Sequence, residues 1–120
     1  MHRSVRFAAT ALLVAALAGT AGCASLITGG ELIRPGEPTG VIEVRNATGG
    51  PVNVVLISDC NASTYGLNRL PSGTAIPSGG SWKFEVSAGC WDVDAGATGV
   101  GEARQRMTVD AGGLTRYTVH

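Results

Sequence analysis

Ser81-Trp82-Lys83-Phe84-Glu85-Val86-Ser87 decides the fold. Trp82, Phe84 and Val86 fall on one side of an extended chain, and Lys83 and Glu85 on the other. That period of two is the mark of a half-buried strand. Ile76-Pro77-Ser78-Gly79-Gly80 stands before it as a turn. After it, Trp91, Val93 and Ala95 alternate with Cys90, Asp92 and Asp94, which predicts the next strand. Working outward, Val41–Arg45 alternates, Asn46-Ala47-Thr48-Gly49-Gly50-Pro51 is a turn, and Val52–Ser58 is a β-branched run. Met107 and Val109 mark a fifth strand, and Leu114, Tyr117 and Val119 a sixth. Residues 59–73 are a long connection with room for a helical turn or a seventh strand. Six or seven short strands, glycine-rich turns and no amphipathic helix after residue 22 predict an all-β domain over 41–120. The expected form is a small immunoglobulin-like antiparallel β-sandwich, with a small closed barrel as the alternative.

The N-terminal region has a different texture. His2, Arg3 and Arg6 make a basic start, and every residue from Phe7 to Ala18 except Thr10 is apolar. Gly19, Thr20, Ala21 and Gly22 are small. Together they predict a cleaved export signal over 1–22. Its apolar core falls short of the roughly 20 residues that span a bilayer. Residues 23–40 contain Gly29-Gly30, Pro35-Gly36, Pro38 and Gly40, which break helix and strand alike and predict a flexible tether. Leu26, Ile27, Leu32 and Ile33 give part of it the means to dock on the domain.

Thr20-Ala21-Gly22-Cys23 resembles the lipobox of bacterial lipoprotein precursors, with Thr20 where that pattern prefers Leu. The resemblance implies that Cys23 accepts a diacylglycerol and becomes the first residue of a membrane-anchored chain. The alternative is plain secretion, with Cys23 incidental. Ala24, in place of the Asp that holds such proteins at the inner membrane, implies an outer-membrane location facing the periplasm. With Cys23 assigned to lipid, Cys60 and Cys90 are left as an even pair in an oxidising compartment, which predicts a disulfide. Two free buried thiols are the other reading.

Asn46-Ala47-Thr48-Gly49, Ile76-Pro77-Ser78-Gly79-Gly80-Ser81 and Gly89-Cys90-Trp91-Asp92-Val93-Asp94-Ala95 resemble a group of small exported bacterial domains of unknown function. The likeness covers roughly residues 41–100. It implies a β-sandwich and supplies no activity.

Residues 23–120 carry seven basic and nine acidic side chains, a net charge of −2. That balance offers no attraction to nucleic acid. Histidine is confined to His2 and His120, so no triad or dyad assembles around a positioned base. No enzyme, cofactor or metal site is expected. Asp92 and Asp94 share a strand face, and a Cys60–Cys90 bridge brings Asp59 near, but three carboxylates fall short of a calcium shell. A solvated strand face explains them as well. Asn46 and Asn61 open glycosylation sequons, and turn formation is the stronger role for both. Trp82 and Trp91 belong with the core residues of their strands. The expectation is therefore a lipid-anchored envelope module without catalysis, bound to the membrane and to a possible envelope protein. The alternative is a small inhibitor or ligand-binding lipoprotein, with Tyr65 and Arg69 in the 59–73 loop as its contact residues.

Overall fold

Six extended stretches pair into two sheets in the computed structural model, which describes residues 30–120. The strands are β1 (Thr39–Asn46), β2 (Val54–Asp59), β3 (Ser81–Ser87), β4 (Gly89–Ala97), β5 (Gly101–Val109) and β6 (Leu114–Val119). One sheet has the order β3-β1-β6 and the other β2-β4-β5, so the all-β sandwich expected from the sequence is present. The 1–22 segment, Cys23, Leu26 and Ile27 lie outside the described residues.

Only β4 and β5 form a hairpin within one sheet. Every other connection carries the chain from one sheet to the other. Three of the four strand pairs are antiparallel, as expected. The fourth departs from the expectation: β1 and β6 run parallel, with Val44 opposite Tyr117. Parallel neighbours need a long crossover, and here the crossover is the rest of the domain, so the first and last strands lie side by side.

The strands form where apolar residues alternate. Ile42, Val44, Phe84, Val86, Tyr117 and Val119 project from one sheet, and Val55, Ile57, Trp91, Val93, Met107 and Val109 from the other, into a single buried core. Trp91 is fully buried at its centre, with its indole N–H donating to the Ser87 carbonyl at 2.8 Å. Trp82 packs at the core's margin. Both tryptophans thus fill the places their periodicity assigns.

Side-chain chemistry holds the turns. Asn46 is fully buried. Its amide nitrogen donates to the Gly50 and Ile76 carbonyls, and its oxygen accepts from the Thr48 N–H and hydroxyl. Its sequon is therefore a turn device with its amide nitrogen already committed. The 59–73 connection adds no seventh strand: it touches β2 through one bridge, Leu56 to Asn68.

Residues 30–38 form a strap against the sandwich. The Leu32 and Pro38 carbonyls accept the Ser87 and Ala88 N–H groups, and Leu32 packs on the core. Arg34 is its rivet. The guanidinium sits 5.2 Å from the Trp91 ring centroid and pairs with Asp59 and Glu37, while the Arg34 N–H donates to the Ser87 hydroxyl. The apolar residues of the expected tether thus divide: Leu32 docks and Ile33 stays exposed.

Candidate functional site

The strand directions give the sandwich two unlike ends. β1, β4 and β6 start where β2, β3 and β5 finish. That end carries the strap and the Cys60–Cys90 disulfide, whose Cα atoms lie 5.5 Å apart. The predicted cysteine pair is thus formed. The opposite end carries a cleft of about 760 Å³ between the 47–53 loop, the β4–β5 hairpin and the end of β6.

Small residues make the cleft. Ala95, Gly96, Ala97 and Ala103 line it where larger side chains would close the sandwich end. Gly96 has no room for a side chain, because a Cβ there would strike the Gly101 and Glu102 backbone. The hairpin turns through Thr98, Gly99 and Val100, with Gly99 at φ 79°, a left-handed conformation that favours glycine. Val100 at its tip is 87% exposed. His120, the one histidine among the described residues, stands at the rim with Glu102.

The outer face of the β2-β4-β5 sheet carries a row of paired charges. Asp92 and Asp94 share that face, as their spacing predicts. β5 returns Arg106 opposite Asp92 and Arg104 opposite Asp94. Arg106 donates to Asp92 at 2.9 Å, and Arg104 reaches Asp94 at 3.0 Å and Glu102 at 2.7 Å. Asp59 does not join them. Its register opposite Trp91 turns it to the other face, where it pairs with Arg34. The three carboxylates weighed as oxygen ligands are thus held by three different arginines.

The 59–73 loop folds onto its own domain. Tyr65 lies beneath Arg104, whose guanidinium sits 4.8 Å from the Tyr65 ring centroid. Arg69 reaches back to the Ile57 and Gly30 carbonyls. Neither residue forms the protruding tip that an inhibitory loop requires. Asn61 is exposed, and its N–H donates to the Asp59 carboxylate in an Asx turn.

Asp94 is the electrostatic centre of this face, with its side chain only 2% exposed. Burial pushes its carboxyl up from the usual carboxylate range. The Arg104 hydrogen bond opposes that rise, and neighbouring Glu102 adds to it. Burial and the Asp94 charge likewise raise the Tyr117 phenol. An acid raised by folding holds its proton to higher pH in the folded state than in the unfolded chain. Stability from this group is therefore present at low pH and lost as pH rises from the ordinary 3.8 through the folded value. Asp94→Asn is expected to abolish that slope. Urea midpoints of both proteins, measured across the acid range, should diverge as pH rises, with the parent losing ground. Parallel curves would remove Asp94 as the cause.

Comparison with protein-family models, with curated proteins and with solved structures finds no match to this chain. Among the described residues no helix is long and apolar enough to cross a membrane.

Proposed function

We propose that this chain is a membrane-anchored cell-envelope lipoprotein. It works as a non-catalytic binding or assembly module, at the outer membrane facing the periplasm. The observation that carries the reading is the opposition of its two ends. The strap, leading back toward Cys23, leaves the sandwich beside the disulfide, and the cleft opens at the far end. The nine residues of β4 separate them by roughly 25–30 Å at ~3.3 Å per residue. An anchor at Cys23 would set the strap end toward the bilayer and the cleft away from it. Acyl chains supply the affinity, about 0.8 kcal/mol per buried methylene.

A ligand-binding lipoprotein is the second reading, and the cleft volume favours it, since ligand sites run to roughly 300–1,000 Å³. An inhibitory role through Tyr65 and Arg69 loses ground because both face the chain's own sandwich.

The test is fractionation with intact mass. The parent chain is expected in the membrane fraction, carrying diacylglycerol. Cys23→Ser is expected in the soluble fraction with an unchanged melting temperature. A soluble, unmodified parent chain would leave plain secretion as the reading.

A further inference from the structure

We infer that the β5 edge and the far-end cleft form one docking site for an extended segment of a partner protein. The segment adds as a strand and alternates apolar with acidic side chains. The inference rests on the reading of the far end as the presenting end.

β5 and β6 are the adjoining edges of the two sheets. Near the strap the seam between them is closed. The Thr115 hydroxyl donates to the Thr108 carbonyl at 2.8 Å, and the Gly113 N–H closes the connecting turn on the Asp110 carbonyl at 2.9 Å. Toward the far end the strands part. Gly101–Ala103 form one lip and Val119 and His120 the other, with the cleft between.

Among the described residues no strand pairs with the free side of β5. Glu102, Arg104, Gln105 and Arg106 are exposed along it. An open edge of this length is a template for another strand. Side chains of an added strand would point alternately to the two faces of the sheet. On the inner face they would stand beside Ala103 and enter a cleft floored by Ala95 and Val52. The alanines and glycines of its lining leave room there for an apolar side chain.

On the outer face they would stand beside Arg104 and Arg106, whose side chains are 55% and 63% exposed. Arg106 holds Asp92 through Nε and Nη2, while Arg104 holds Asp94 through Nε and Glu102 through Nη2. The Nη1 of each has no protein acceptor among the described residues. Beside Arg104 and Arg106 a carboxylate would complete these forks and a lysine would meet like charge, whereas beside Glu102 the preference reverses. A second copy pairing β5 with β5 about Gln105 would set Arg104 against Arg106, which disfavours that register of self-pairing.

The test uses the full chain, isotope-labelled, with a short capped peptide of alternating Val and Glu. Binding is expected to slow amide exchange along Glu102–Arg106. A Val/Lys peptide, and a Val/Glu peptide N-methylated on alternate amides, should each bind at least about tenfold more weakly. Ala103→Leu, which fills the cleft from its lip, should weaken the Val/Glu peptide without lowering the melting temperature. Arg106→Glu should shift preference toward the Val/Lys peptide. Equal binding of the Glu and Lys peptides overturns the proposal. So does protection confined to another segment, or edge protection that grows with protein concentration without peptide. The assay needs no membrane, so its failure is distinct from failure of the anchoring test.

Discussion

Trp91→Ala is expected to remove most of the protein's folding stability. Trp91 is fully buried between the sheets, gives its N–H to the Ser87 carbonyl and carries Arg34 on its ring. Truncating a buried tryptophan costs about 3–5 kcal/mol. A domain of this size has a total stability of about 5–15 kcal/mol, and small ones lie at the low end. The loss also unseats the strap, because the Arg34 contact and the Ser87 bond converge on the same indole. Trp91→Phe keeps a ring under Arg34 and much of the volume, and is expected to lose markedly less. Thermal melts by circular dichroism check the order: parent, then Phe, then Ala. If the alanine variant melts within a few degrees of the parent, the core is not organised around this ring.

The same residue shows how far the sequence could be read. Alternation around Trp82 and Trp91 located two strands and their buried faces, because a sheet face imposes a period of two on the side chains. β5 was legible only at its end. Met107 and Val109 announced it, but Glu102, Arg104, Gln105 and Arg106 are exposed, and exposed strand carries no apolar signal. Its pairing was nonetheless written in charge. Arg104 and Arg106 mirror Asp94 and Asp92 about Gly99, as a hairpin register requires. The parallel β1–β6 pair was not legible, since contact between the first and last strands depends on how the chain crosses between sheets, not on local pattern.

The candidate site was harder to read for a related reason. Ala95, Ala97 and Ala103 are ordinary strand residues in sequence, and their effect is to leave space, which has no motif. Asp59 misled by proximity to Cys60: a bridge draws backbones together, yet adjacent strand residues face opposite ways. Tyr65 and Arg69 suggested a protruding tip because an aromatic and a cation in a long loop suit recognition. The sheet beneath supplies carbonyls and an arginine that hold both down.

Replacing both disulfide cysteines, Cys60→Ser with Cys90→Ser, is expected to lower stability by about 3–4 kcal/mol in the chain-entropy account of a 30-residue closure. At roughly 4–8 °C per kcal/mol for a domain this small, the melting temperature should fall by about 15–30 °C. The bridge ties the end of β2 to the start of β4, strands already paired through Asp59 and Trp91. Its removal therefore leaves the native pairing available and acts mainly by freeing the unfolded chain. The effect should also stay local in the folded state. The bridge lies at the strap end, and the cleft lies at the other end of the same strands. Well below its melting temperature the double variant should keep the peptide affinity of the parent while its strap amides, near Leu32 and Arg34, exchange faster. A loss of peptide binding at full folding would mean that the two ends are mechanically coupled, and that the strap governs the cleft.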